Sequence, residues 1–217
     1  MADGLIDLIA HTEPAGERRI YGVALAQVSD NLDPLGLGRV QLRLPWLPGV
    51  EPWARVAVLA AGNNRGTYII PQVDDEVLVA FEHGDITAPY VIGSLWNWLD
   101  RPPAVAPTDA MTKQIIRTRQ GHEIVFDDLT QTITITSSLQ HKVTLDESKI
   151  AVAAAGGGAT LTLNASGEIT LRANRSIDLD APTITIQGQT IELEAQASAS
   201  LNGGGRCEIQ ASLVTIN

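Results

Sequence analysis

From Ile133 onward the chain repeats one small pattern: two apolar residues flanking a single polar or small one, followed by a turn. The pairs are Ile133/Ile135, Val143/Leu145, Ile150/Val152, Leu161/Leu163, Ile169/Leu171, Ile177/Leu179, Ile184/Ile186 and Ile191/Leu193. The series weakens at Ala199/Leu201 and Cys207/Ile209, then returns at Val214/Ile216. Its step drifts between seven and eleven residues and averages about eight. A strand of roughly five residues that buries only alternate side chains cannot support itself, so neighbouring strands must complete its core. A single-chain parallel coil would use a longer turn or a strict six-residue repeat. Three identical chains winding around one axis need only a strand and a short bend per step, which suits the drifting period. Residues 114–217 are therefore expected to form an intertwined triple-stranded β-helix in a homotrimer.

The first half is composed differently. All four tryptophans, all three tyrosines and ten of the eleven prolines precede residue 110. Between the halves, "RPPAVAPTDAMTK" (101–113) has the proline-rich, polar character of a linker. Within residues 21–100, apolar and β-branched runs alternate with turn signals: "YGVALAQVSD", "GRVQLRLPWL", "WARVAVLA", "GTYIIPQVDDEVLVAFEHGD" and "PYVIGSLWN". Val40, Leu42 and Leu44 alternate with Gln41 and Arg43, as in a strand with one wet face. "EHGD" reads as a hairpin turn with Gly84 at positive φ. Five short strands without a convincing helix fit a small Greek-key barrel of the OB-fold type. The fold class is all-β: residues 1–20 as an N-terminal arm, a barrel, a linker, and a needle.

Charge narrows the partners. A net charge of -10 and the absence of any Lys/Arg cluster argue against a nucleic-acid partner, which needs a basic face. The single cysteine, Cys207, allows no intrachain disulfide and sits on a strand pattern, so it is expected to be a buried inert thiol. "MADGLIDLIA" has no basic region before its short apolar run, and no apolar run approaches the roughly 18 residues that span a bilayer. Signal-driven export and a membrane span are not expected.

The stretch from Tyr21 to Trp96 carries a resemblance. "DPLGLGRV" at Asp33 to Val40, "PW" at Pro45 and Trp46, "WARV" at Trp53 to Val56, "IPQVDDEVLVAFEHGD" from Ile70 to Asp85 and "PYVIGSLWN" from Pro89 to Asn97 follow one another in order. Together they resemble the OB-fold of phage baseplate assembly protein V and of VgrG, the spike protein of type VI secretion, over about 80 residues. The resemblance implies the trimeric central spike of a contractile injection system, with the barrel above a β-helical needle. Only about 20 residues precede Tyr21, so the large hub domain of VgrG is expected as a separate baseplate hub protein at the end of the tail tube. The linker is too short for the lysozyme domain of lytic phage spikes. Such a spike would be assembled in the cytoplasm into a phage-like particle or baseplate and meet the target envelope only transiently.

Catalysis has little to stand on, and no enzyme activity or cofactor is expected. The four histidines, His11, His83, His122 and His141, form no close-spaced metal pair. His83 beside Glu82 and Asp85 could be drawn as an acid/base cluster, but a solvated turn is the simpler reading. Asp74, Asp75 and Glu76 are read as turn residues rather than cation ligands. The tryptophans are read as barrel core or trimer contacts. "AAAGGGAT" and "NGGGR" lack the Lys-Ser/Thr of a phosphate loop and read as bends or bulges.

Two other classes compete. A β-solenoid enzyme would show strict six-residue repeats or an acid/base cluster on one face. A carbohydrate-binding adhesin would expose aromatic rings along the needle, where Phe126 is the only aromatic residue after 110. Asp33, Arg39, Asn63 and Arg65 are the loop candidates for contact with the hub or the needle. At the far end, "QASLVTIN" carries the strand pattern to Ile216. Three such ends would offer unpaired backbone for β-augmentation, so Leu213, Val214, Thr215, Ile216 and Asn217 are expected to dock a PAAR-like tip protein, which could carry effector cargo.

Overall fold

The computed structural model describes residues 19–104 and 106–215. Most of the expected arm, residues 1–18, lies outside them, as do His11, Ile216 and Asn217.

The barrel is built from β1 (Ala24–Asp30), β2 (Val40–Arg43), β3 (Trp53–Val56), a small hairpin of β4 (Ala61–Gly62) and β5 (Arg65–Gly66), then β6 (Glu76–Phe81) and β7 (Pro89–Ser94). Alternation decides which side chains turn inward. Ala26 and Val28 of β1, Val40 and Leu42 of β2, Ala54 of β3, Val77, Val79 and Phe81 of β6, and Val91 of β7 converge with Leu44 into one buried cluster. The closed strand order is β1-β2-β3-β7-β6. Every neighbouring pair is antiparallel except β3 and β7, which run parallel through the Arg55↔Tyr90 and Val56↔Val91 pairings. Register shifts between Val28 and Asp30 and between Leu78 and Val79 bend the strands. The result is the OB-like barrel expected from the strand pattern.

The turn after β6 forms as anticipated at Glu82–Gly84, with Gly84 at φ 82°. A Cβ there would meet Arg19 Cβ at 3.1 Å and the Ile20 backbone nitrogen at 3.2 Å, so glycine lets the incoming chain press against the turn. The Ile20 N–H donates to the Gly84 carbonyl at 2.9 Å.

After the barrel comes a four-residue helix, α1 (Asp109–Thr112), inside the stretch read as linker. Its Asp109 carboxylate accepts from Lys113 Nζ at 2.8 Å. Then follow β8 (Lys113–Arg117), β9 (Glu123–Asp127), β10 (Thr132–Thr136), β11 (Lys142–Leu145), β12 (Lys149–Ala153), β13 (Ala159–Asn164) and β14 (Ile169–Ala173). They pair in sequence order as one antiparallel meander. This departs from an intertwined arrangement for this stretch, because each strand finds its hydrogen-bond partners within its own chain. The turns explain it. Asp127 Oδ1 accepts from the N–H groups of Leu129 and Thr130, and Asp146 Oδ1 from those of Ser148 and Lys149, which folds the chain back on itself.

Residues 174–215 pair with no strand among the described residues, and all of them are exposed. Cys207 lies in this stretch and is exposed rather than buried, because within one chain nothing packs against it. Among the described residues no helix is long and apolar enough to cross a membrane.

Candidate functional site

The meander has two unlike faces, and its register shows why. On one face two rows run across all seven strands: Gln114, Phe126, Ile133, Leu145, Ile150, Leu163, Ile169, and beside it Ile116, Ile124, Ile135, Val143, Val152, Leu161, Leu171. Every member but Gln114 is a large apolar residue. The opposite face carries Ile115, Val125, Thr134, Thr144, Ala151, Thr162 and Thr170, flanked by a row from Arg117 through Glu123 and Lys142 to Arg172. A two-residue period in each strand, held in register by antiparallel pairing, therefore sorts the sheet into a greasy face and a threonine-rich one. No residue from 113 to 173 is fully buried. An apolar face this continuous, left uncovered in a single chain, marks an interaction surface.

The edges of the meander are stitched by side chains the sequence left unassigned. The Ser138 N–H donates to His122 Nδ1 at 3.3 Å, and the Ala155 N–H to His141 Nδ1 at 3.1 Å, so each histidine ties its own turn to the next along one edge. On the other edge a backbone bond does the same, the Ala165 N–H donating to the Ser148 carbonyl at 2.8 Å.

A second candidate lies on the barrel. Arg39, Trp53, Arg55, Arg65, Tyr68 and Tyr90 line a cleft of about 980 Å³, with Leu37, Val56, Val58 and Ile70 among its apolar walls. Arg39 lies over the Trp53 ring at 5.3 Å, and Arg55 over the Tyr90 ring at 5.5 Å. The β4–β5 hairpin forms one wall, and its geometry demands glycine at 66, where a Cβ would sit 2.3 Å from the Ala60 carbonyl oxygen.

Of the loop candidates, Asp33 and Arg39 meet directly, with Arg39 Nη2 donating to Asp33 Oδ1 at 2.7 Å. The same carboxylate accepts the backbone N–H groups of Leu35, Leu37 and Arg39 at 3.0, 2.8 and 3.2 Å. Its side chain is 4 % exposed. The Arg39 guanidinium, aided by those backbone donors and opposed by desolvation, holds the Asp33 carboxyl well below the usual carboxylate range. Asp33 thus shapes the loop and fixes Arg39 at the cleft rim. Arg65 lines the same cleft from the hairpin, while Asn63 stands at the hairpin turn. Sequence reasoning missed Arg55 and Tyr90, which face each other across the parallel β3–β7 pair, 35 positions apart in the chain.

Other expected features resolve as follows. Trp46 is partly exposed, donates its indole N–H to the Leu25 carbonyl at 3.2 Å and meets Phe81 edge-on. Trp53 is half-buried, and Trp96 and Trp98 are exposed, so no tryptophan belongs to the buried barrel core. Glu82 accepts from the Tyr90 hydroxyl at 2.7 Å and Asp85 from Thr87, so both carboxylates serve the turn. Asp75 Oδ2 likewise accepts the Gln72 N–H at 2.8 Å. Leu213, Val214 and Thr215 are exposed and unpaired within this chain.

Comparison with known proteins bears on the barrel. Residues 24–96 match the family described as the type VI secretion system/phage-baseplate injector OB domain. The chain is 34% identical over 102 residues to the type VI secretion system spike protein VgrG3 of Vibrio cholerae, covering 42% of this chain and 10% of that protein. It is 30% identical over 114 residues to the spike protein VgrG2a of Pseudomonas aeruginosa, covering 48% and 14% respectively. It is also 34% identical over 102 residues to a Vibrio cholerae protein named actin cross-linking toxin VgrG1, 9% of which is covered. The chain thus spans about a tenth of the length of these curated relatives. The likeness to the injector OB domain rests on residues 24–96, the barrel, and the likeness to the VgrG spike proteins on less than half of this chain.

Proposed function

With an injector OB barrel followed by an amphipathic sheet that one chain leaves bare, we propose that this protein is the central spike of a contractile injection machine, acting as a homotrimer and without catalysis. The observation that carries the reading is the thirteen-residue apolar face of the meander. Three copies turning that face toward a common axis would bury it, at about 1 kcal/mol for each half-exposed Ile or Leu that is covered. The stretch 175–215 keeps the apolar pairs of the repeat and pairs with no strand among the described residues, so strands of the other two copies would supply partners as an intertwined β-helix. A shaft whose strands cross between chains unfolds slowly, which suits a part driven mechanically through an envelope.

The barrel would hold this needle to a separate hub at the end of the tail tube, and Leu213 to Asn217 would receive a PAAR-like tip protein, with any effector carried there. The particle would be built in the cytoplasm and act on the target from outside. Native mass measurement of the purified chain should give a trimer that survives SDS without boiling. A monomer under native conditions overturns the proposal, and imaging should show a narrow three-fold spike rather than a broad single-chain solenoid.

A further inference from the structure

The barrel cleft has a chemistry the spike reading does not use. Arg39, Arg55 and Arg65 converge on it in a chain whose net charge is -10. Asp33 pairs with Arg39, and Glu82, the one carboxylate among the lining residues, is held by the Tyr90 hydroxyl. Arg55 and Arg65 are exposed, and between them lie apolar and aromatic walls. Such a surface suits an acidic segment with bulky apolar residues.

The chain carries a segment of that character immediately before Arg19 in the sequence. Residues 1–18 include Asp3, Asp7, Glu13 and Glu17 against the single side-chain cation Arg18, with Leu5, Ile6, Leu8 and Ile9 flanking Asp7 in the sequence. Their point of entry is fixed. Arg19 Nη1 donates to the His83 carbonyl at 3.5 Å, and the Ile20 N–H to the Gly84 carbonyl at 2.9 Å, which holds the chain against the turn whose first residue, Glu82, lines the cleft. Eighteen extended residues reach about 60 Å, so span does not limit contact. Attachment through the same chain also gives an effective concentration on the order of millimolar, so weak docking suffices.

We propose that residues 1–18 dock in the cleft of their own barrel, their carboxylates meeting Arg55 and Arg65 and their Leu/Ile cluster covering its apolar walls. The segment then acts as a built-in occupant that any outside partner of the cleft must displace.

Disulfide trapping in the full chain tests this. With Cys207→Ser removing the native thiol, Ala10→Cys and Asn64→Cys place one thiol in the segment and one on the hairpin wall. Mild oxidation should give an intrachain crosslink, seen as a faster-running monomer on a denaturing gel. Adding Arg55→Gln and Arg65→Gln should slow its formation at least tenfold, and 0.5 M salt should slow it in the unaltered cleft, which guards against a variant that folds poorly. A crosslinked dimer would assign the cleft to a second copy. That result, no crosslink, or a rate indifferent to both the arginines and salt overturns the proposal.

Discussion

The barrel and the meander start from the same local rule, alternation of apolar and polar residues, and reach opposite ends. The barrel closes its sheet, and every buried residue among the described ones lies between Ala26 and Val91. The meander leaves its sheet open, and its apolar face stays half-exposed although every strand is hydrogen-bonded. From 174 to 215 even that strand pairing stops. Hydrogen bonding and burial are thus separable: tight turns are enough to satisfy the backbone, but only closure or a second layer covers the side chains. The barrel covers its own apolar side chains, and the meander does not.

The sharpest way to break that contrast is to charge the uncovered face. Val152→Asp with Ile135→Asp places two carboxylates among the apolar rows, and we expect complete loss of the proposed trimer by light scattering, with the barrel still folded. Thr134→Asp, on the opposite face, should leave the trimer intact. If both variants stay trimeric, the apolar face is not the contact. The reciprocal test attacks the barrel. Leu42 is wholly buried, and Leu42→Ala should cost the barrel about 2–5 kcal/mol in denaturant titration, while the SDS-resistant trimer persists. Loss of the trimer as well would show that the two halves fold as one unit.

A smaller effect separates the barrel loop from its core. A carboxyl held below its ordinary pKa stabilises the fold fully above the unfolded value, near 3.9, and surrenders that stability as pH falls through the folded value. Asp33 is such a group, chiefly through Arg39. Barrel stability should therefore be flat from neutral pH to about 5 and decline below 4. Arg39→Ala should lower stability at pH 7 and flatten the acid decline, both measured by thermal melts.

The strands were legible because a period of two is a property of the sequence alone. Their partners were not, since alternation says which side chains share a face and is silent on which neighbour pairs. In the meander the turns decide, and they are partly disguised: Gln131 and Gln140 take the left-handed conformation at φ 52° and 67°, where glycine would have signalled a reversal. The loop residues Asp33, Arg39 and Arg65 stood out beside turn glycines. Arg55 and Tyr90 did not, because only the parallel β3–β7 crossover makes them neighbours.

The smallest expected effect asks whether the turns alone set the difference between paired and unpaired repeats. Asp146 Oδ1 accepts from the Ser148 hydroxyl at 2.6 Å and from the Ser148 and Lys149 N–H groups at 2.8 and 2.9 Å, and the Ser148 hydroxyl foremost lowers its pKa. No such carboxylate-to-backbone cluster closes a turn between 174 and 215 among the described residues; Asp178 accepts only the Ser176 hydroxyl. Asp146→Ala should loosen one hairpin, raising hydrogen exchange at Leu145 and Lys149 while leaving the trimer and the barrel melt unchanged. The same exchange increase should appear in the unaltered chain as pH falls below 4, since protonating Asp146 removes its best acceptor state. If exchange at the β11–β12 turn ignores both changes, neighbouring copies rather than local turn chemistry hold the meander in register.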